Sequence, residues 1–234
     1  MRNRWLWTMT LALTALTGGL AAQDTRPGLA ILPFEDGGSY GQDKENFEAL
    51  KRGIPAMLAS ELSNNPNVRL VDREQIQRLL EEQNLGKEGR VDAATAAKIG
   101  KLVGARYMIA GTFTDFYGRF RVDARIINVE TSEIIKTVRS DPKLEKREEL
   151  FRSIQSLAEK LMAETKLPPL PVEVSQRVKA RNVPTEALTY YSRALLYQDR
   201  GDNAKAAEYF RKALDVFPEY AEAGEGLKRI ESKS

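Results

Sequence analysis

The sequence predicts an α/β fold, with a mixed sheet of about five strands flanked by helices, followed by a small all-α domain at the C-terminus. Three observations support this prediction. The stretch GLAILPF at residues 28–34 is a continuous apolar run, which is typical of a buried strand. Apolar and polar residues then alternate over residues 106–140, as expected for an antiparallel meander of three strands. Beyond Pro184 the apolar residues recur at helical spacing.

Composition narrows the classes of function. The 234 residues are 42% hydrophobic and 29% charged, which is ordinary for a folded protein of one or two domains. The absence of Cys and His excludes disulfides, zinc sites built on thiolate or imidazole, and catalysis by Ser-His or Cys-His pairs. The net charge of +3 falls to +1 without Arg2 and Arg4, so charge gives no argument for nucleic acid. We expect no catalytic residue, no metal and no cofactor.

Residues 1–22 have the three parts of a secretory signal peptide. Arg2 and Arg4 form the basic region, residues 5–16 are mostly apolar, and small residues lead to cleavage after Ala21 or Ala22. The apolar run is too short and too rich in threonine for a good transmembrane helix, although an uncleaved anchor is the alternative interpretation. We therefore expect export to the periplasm, with no stable membrane span in the mature chain.

The α/β domain begins with a predicted strand, helix, strand and helix. The loop at residues 35–43 lies where phosphate loops often occur, but it lacks their Gly-Lys-Ser/Thr ending. A flexible loop is therefore favoured, and ligand binding there is left open. The helical pattern that starts at Asp43 contains Pro55, which predicts a kink or a second helix. A strand at residues 68–71 leads into VDREQIQRLLEEQNL, a helix that Asp72 is placed to cap.

The rest of this domain predicts a short helix, the meander and a further helix. Asp92 is placed to cap the short, Ala-rich helix. The two turns of the meander fall at residues 117–118 and 131–132. Arginines line one face of its middle strand, which favours a solvated face over a site for an acidic partner. A helix over residues 146–166 carries its apolar residues on one side, namely Leu150, Ile154, Leu157 and Leu161.

A proline-rich break, LPPLPVEV at residues 167–174, separates the two parts of the chain. Proline stiffens a chain and favours extended backbone, so we expect residues 167–174 to be stiff and extended within a proline-rich linker at residues 167–183. We place the α/β domain at residues 23–166 and the helical domain at residues 184–234.

The helical domain has residues at the spacing of one helical repeat. The pattern comprises two small residues, aromatic residues that fill the space between helices, and a closing proline: Tyr197, Ala206, Phe210, Ala213 and Pro218. This pattern resembles the tetratricopeptide repeat. A single repeat with one closing helix cannot bury its own apolar face. The resemblance therefore implies a protein-binding unit that packs on the first domain or on another chain.

A second series of motifs follows the chain in order over residues 28–140. It consists of Asp72, Arg73, Glu82, Gln83, Gly100, Lys101, Gly104, Ala105, Gly111 and Thr112. The series resembles the domain shared by the curli assembly and secretion component CsgG and the TolB-like amino-terminal domains. The resemblance implies a periplasmic fold. The curli component also forms a ring-shaped outer-membrane pore with long amphipathic hairpins and a lipidated N-terminal Cys, and this sequence has neither feature.

Two groups of candidate site residues follow. The expected role of Asp72 and Arg73 is a helix cap and a packing ion pair, with a contact to a neighbouring subunit as the alternative. Glu82, Gln83, Gly104 and Gly111 are expected to be structural members of the same family motif. Candidate partner-binding residues lie in the helical domain, and they are Tyr190, Tyr191, Arg193 and Tyr197, with the core the favoured position for Tyr197.

These observations favour a non-enzymatic envelope protein that binds or assembles with other proteins. The expected partners are other envelope proteins, with homo-oligomers left open and nucleic acid excluded. One alternative is a subunit of an outer-membrane-associated, curli-type secretion complex without its own transmembrane hairpins. Another is a hydrolase that uses only carboxylates.

Overall fold

A computed structural model describes residues 24–41, 43–83, 91–140, 144–165 and 170–232. The predicted signal peptide and its cleavage position lie outside the described residues, as do residues 167–169 of the predicted linker and residue 42 of the loop at 35–43.

The described strands form one mixed sheet. They are β1 Gly28–Ile31, β2 Glu35–Asp36, β3 Arg69–Leu70, β4 Tyr107–Phe116, β5 Arg119–Asn128, β6 Ile134–Arg139 and β7 Glu145–Lys146. The strand order is β3-β1-β4-β5-β6, with β1 parallel to both neighbours and β4, β5 and β6 antiparallel. The mixed sheet and its three-strand meander are therefore confirmed.

Over the described residues the sheet has seven strands, whereas the sequence predicted about five. The two additional strands, β2 and β7, pair with β4 and β5 respectively and contain two residues each. A two-residue strand is too short to show the alternation from which strands are recognised. The five strands of the main path correspond to the predicted ones.

Helices cover both faces of the sheet. They are α1 Lys44–Ser63, α2 Arg73–Glu82, α3 Ala93–Leu102, α4 Leu150–Glu164, α5 Val172–Ala180, α6 Thr185–Asp199, α7 Asn203–Val216 and α8 Ala221–Glu231, with a 3₁₀ turn before α4. On one face, α2 and α3 enclose a core that includes Ile76, Leu80, Ile99, Met108 and Ile127. The opposite face is covered by α1 and α4.

Pro55 lies inside α1, which continues through it as a single helix. Because proline has no N–H, the carbonyl of Lys51 has no intrahelical donor at that position. The backbone N–H of Phe34, just after β1, donates to this carbonyl at 2.8 Å. Pro55 therefore leaves this carbonyl free to accept a hydrogen bond that ties α1 to the end of β1.

The prediction of an extended linker is wrong from Val172 onward, where α5 begins. Residues 172–180 contain neither Gly nor Pro, and Pro171 stands directly before the first helical residue. Glu173 in the first turn and Arg177 and Lys179 in the last turn complement the helix dipole. Local helix preference therefore resumes as soon as the prolines end.

The C-terminal helices pack on the α/β part of the chain, as the single repeat predicted. α6 lies against the outer side of α1, and α7 and α8 follow it. One continuous apolar core runs from Phe113 in the sheet through Leu58 of α1 and Phe151 of α4 to Leu195 and Phe210 of the C-terminal helices. Helices α6 to α8 thus bury their apolar face against the sheet domain.

Candidate interaction site

The helices α1 and α6 pack closely at Gly53. A Cβ atom at this position would lie 2.6 Å from the Cβ of Ser192 and closer still to its Oγ. Ser192 is fully buried, and its hydroxyl donates to the carbonyl of Leu188 at 2.7 Å. Only glycine fits this helix crossing, so the position of α6 on α1 depends on Gly53.

Asp199, at the end of α6, joins the C-terminal helices to two arginines of the α/β part. Its carboxylate, with the side chain 6% exposed, accepts from Arg52 Nε at 2.9 Å and from Arg73 Nη1 at 2.7 Å. Asp72 caps α2, because its Oδ1 accepts from the backbone N–H groups of Glu74 and Gln75. The Asp72-Arg73 motif therefore supplies a helix cap and an ion pair whose partner lies in the C-terminal helices.

The remaining motif residues lie at the ends of helices or within a strand of the α/β part. Glu82 and Gln83 end α2 as exposed residues, and the N–H of Gln83 donates to the carbonyl of Leu79 at 3.0 Å. Gly104 follows α3 with a φ of 64°, a conformation that favours glycine. At Gly111 a Cβ would overlap the ring of Phe34, so the strand and this ring fit together only without a side chain.

Tyr191 lies in the core, not at a surface. It is 6% exposed, and its ring lies 5.9 Å from that of Phe210 and 5.1 Å from that of Tyr220. Burial raises the pKa of the Tyr191 hydroxyl to about 12. In this fold the Tyr191 side chain offers no surface to a partner.

Arg193 and Tyr197 are engaged within the chain. Arg193 donates to Oδ1 of Asn46 at 2.6 Å and to the hydroxyl of Tyr209 at 3.2 Å. Tyr197, half-buried and not in the core, stacks on Tyr209 at 5.5 Å and donates its hydroxyl to Glu45 at 2.5 Å. These contacts attach α6 to the first turn of α1.

Tyr190 is half-buried beside Tyr209, with 6.2 Å between ring centroids. Of the four predicted partner-binding residues, Tyr190 and Tyr197 therefore keep part of their surface exposed, whereas Arg193 is paired internally and Tyr191 is buried.

Two neighbouring hollows lie beside α2 and share two lining residues, and we name them together the junction groove. Its apolar end is a cavity of about 40 Å³ between the sheet edge, α1 and α2, and it is lined by Ile31, Pro55, Ala56, Ala59, Leu70 and Ile76. Its polar end is an open hollow of about 350 Å³ between α2 and the C-terminal helices, and it includes Glu74, Arg78, Gln198, Asn203 and Arg229. Arg73 and Gln77 line both ends.

A second ionic contact joins α1 to α8. Arg181 lies between two carboxylates, 3.4 Å from Glu61 and 2.5 Å from Glu222. Burial raises the pKa of Glu61 despite the attraction of Arg181, because this side chain is almost fully enclosed. Burial acts in the same direction on Glu222, but hydrogen bonds from Arg181 and Ser60 outweigh it and lower the pKa of Glu222.

Replacing Glu61 with glutamine is expected to stabilise the protein in a pH-dependent way. Because the pKa of Glu61 is raised on folding, its contribution to stability is present at low pH and is lost as the pH rises through the folded pKa. Glu61→Gln should therefore raise the melting temperature at about pH 8 and have little effect at about pH 4, below the ordinary pKa of a glutamate. Thermal unfolding at both pH values measures this, with the exposed Glu130→Gln as control. An equal change at both pH values would contradict it.

Within the described residues, no three Asp, Glu, His or Cys side chains lie close enough together to hold a metal ion. None of the helices in the described ranges has the length and apolar character needed to cross a membrane.

Two protein-family models match the chain. Residues 24–121 match the curli production assembly/transport component CsgG, and residues 187–220 match the tetratricopeptide repeat. Both resemblances predicted from the motifs are thereby confirmed. A search of curated proteins returned no match.

Several solved structures are similar to parts of the chain. The LpoB C-terminal domain from Escherichia coli has 20% identity over 49% of this chain and 80% of that domain, with a TM-score of 0.34. TolB from Acinetobacter baumannii has 14% identity over 62% of this chain and 30% of its own, with a TM-score of 0.39. A PelC dodecamer from Paraburkholderia phytofirmans has 12% identity over 62% of this chain and 91% of its own, with a TM-score of 0.35.

Proposed function

We propose that this chain is an exported, periplasmic protein of the cell envelope that binds other proteins, and that the junction groove is its binding surface. The match to a curli assembly and transport component supports an envelope role. The match to the tetratricopeptide repeat, which serves protein interaction, supports the binding of other proteins. The signal-like residues 1–22 support export.

The observation that carries this proposal is the apolar end of the junction groove. It is a small, mostly apolar hollow that can receive the end of one apolar side chain, and charged and polar residues surround it. A buried apolar anchor within a polar rim is the usual anatomy of a protein interface. Both parts of the chain form the groove, since Asp199 of α6 fixes Arg52 and Arg73 at its edge.

The match to CsgG supports a second candidate, which is a subunit of an outer-membrane-associated secretion or assembly complex. In that role the junction groove would contact the other subunits. The two candidates differ in their partners, which are distinct envelope proteins in the first and components of one secretion apparatus in the second.

Substituting Ala56 in the floor of the groove tests the proposal. Ala56→Gln places a longer side chain in the apolar end and keeps good helix preference. Affinity capture from envelope extracts should yield a reproducible set of proteins with the wild type, and about tenfold less of each with this variant.

The matched control is Ala163→Gln, an exposed position on α4 away from the groove. It should capture the same proteins as the wild type, and both variants should melt at the wild-type temperature. If the folded Ala56→Gln protein captured as much of each protein as the wild type, the junction groove would not be the binding surface.

A further inference from the structure

Three exposed aromatic side chains form a cluster at the end of the β4–β5 hairpin, which we name the aromatic tip. Tyr40, Phe116 and Tyr117 are 61%, 48% and 72% exposed, and their ring centroids lie 5.2–6.1 Å apart. Contiguous apolar surface of this kind is uncommon on a protein unless it contacts something. The aromatic tip is not part of the junction groove.

The aromatic tip is held in place by Asp115, which is fully buried. The Asp115 carboxylate accepts from the backbone N–H of Gly118 at 2.7 Å and pairs with Arg147. Its backbone carbonyl accepts from the N–H of Tyr40 at 2.8 Å, and its own N–H donates to the hydroxyl of Ser39 at 2.9 Å. One residue therefore fixes both loops that carry the three rings.

The turn at the tip has a backbone that does not suit tyrosine. Tyr117 and Gly118 have φ values of 52° and 81°, the left-handed pair of a tight hairpin turn, at which Asn-Gly is preferred. A tyrosine in this conformation is strained relative to asparagine. The sequence places a large ring at the most exposed point of the turn despite this strain.

Cationic side chains lie directly behind the rings. Arg119 faces Phe116 across the β4–β5 ladder, and Lys146 faces Arg119 on the other side. Like charges opposite each other on neighbouring strands repel. Among the described residues, no ion pair joins either of these two side chains to a carboxylate, and Arg119 donates to the backbone carbonyl of Leu144 at 3.1 Å. The pair therefore favours an anionic partner.

We propose that the aromatic tip is a docking element for an anionic lipid surface. Tyrosine and phenylalanine are favoured at the level of lipid headgroups, and cations behind them attract anionic lipids. Two of the rings project from the end of the hairpin and the third from the loop after β2, and none of the three lines any of the described cavities. A projecting, rigid cluster fits a deformable lipid interface better than the pocket of a protein.

Vesicle co-sedimentation of the chain from residue 23 onward tests the proposal. Residues 1–22 are omitted because their apolar segment would itself bind lipid, and the described fold begins at Asp24. The wild type should bind mixed phosphatidylglycerol and phosphatidylcholine vesicles more strongly than pure phosphatidylcholine. Tyr117→Asn, which suits the turn better, should lower binding about tenfold while the protein stays folded.

Two further variants separate the contribution of the cations from that of the aromatic rings. Neutralising the cations with Arg119→Gln and Lys146→Gln should lower binding to the anionic vesicles about tenfold and remove the preference for them. Leu102→Asn removes an exposed apolar side chain on α3, 56% exposed, and should leave binding unchanged. Absence of wild-type binding, equal binding to both vesicles, or full binding by Tyr117→Asn would overturn the proposal, and the first result would direct attention to a protein partner.

Discussion

Replacing Gly53 with alanine is expected to lower the free energy of unfolding by about 2 kcal/mol or more, even though alanine is the better helix former. The added methyl group would lie 2.6 Å from the Cβ of Ser192, at the point where α1 and α6 cross. Both helices are fully packed there, so relief requires that the helices move apart and that the shared core opens. Chemical denaturation measures the change.

A control variant and a rescue variant test whether the loss comes from the contact with Ser192. Gly224→Ala, in α8, adds the same methyl group where nothing lies within 4 Å, and it should be neutral or stabilising by up to about 1 kcal/mol. Adding Ser192→Gly to Gly53→Ala removes the nearest atoms and should restore part of the loss. Wild-type stability for Gly53→Ala, or no recovery in the double variant, would show that the crossing is looser than the structure indicates.

Replacing Phe210 with alanine is expected to cost about 3–5 kcal/mol of stability. The ring is fully buried, it packs 5.9 Å from the ring of Tyr191, and its Cζ lies 2.5 Å from where a Cβ of Gly226 would be. No neighbouring side chain can fill a space of this size, so a cavity would remain. Because this core continues into α1 and α4, the whole protein should lose stability, as measured by denaturation.

Arg211, the next residue, is the control, since its side chain is 59% exposed and pairs only at the surface with Glu231. Arg211→Ala should change stability by less than about 0.5 kcal/mol. A loss of less than about 1 kcal/mol for Phe210→Ala would mean that the repeat does not share the core of the sheet domain.

The sequence was sufficient to predict features that depend on local pattern. Alternation and helical spacing identified the five main strands and seven of the described helices, and the two predicted caps, Asp72 and Asp92, accept hydrogen bonds at the starts of α2 and α3. Spaced motifs identified both families. The helix α5 was missed because the prolines before it dominated the interpretation of residues 167–183.

Contacts between distant residues could not be predicted. Asp199 pairs with Arg73 from 126 positions away, and Glu222 meets Arg181 only because α8 returns to α1. The sequence identified Tyr191 and Arg193 as candidates for partner binding, but it could not show that α6 packs against both α1 and α7. Burial of Asp115 likewise depends on a turn and two loops that meet only in the fold.

Scanning calorimetry of the chain from residue 23 onward tests most directly whether the C-terminal helices and the α/β part share one core. A shared core predicts one unfolding transition, with equal calorimetric and van't Hoff enthalpies, that moves as a whole to lower temperature in Gly53→Ala. Two separate transitions, or a Gly53→Ala substitution that shifts only one of them, would contradict it.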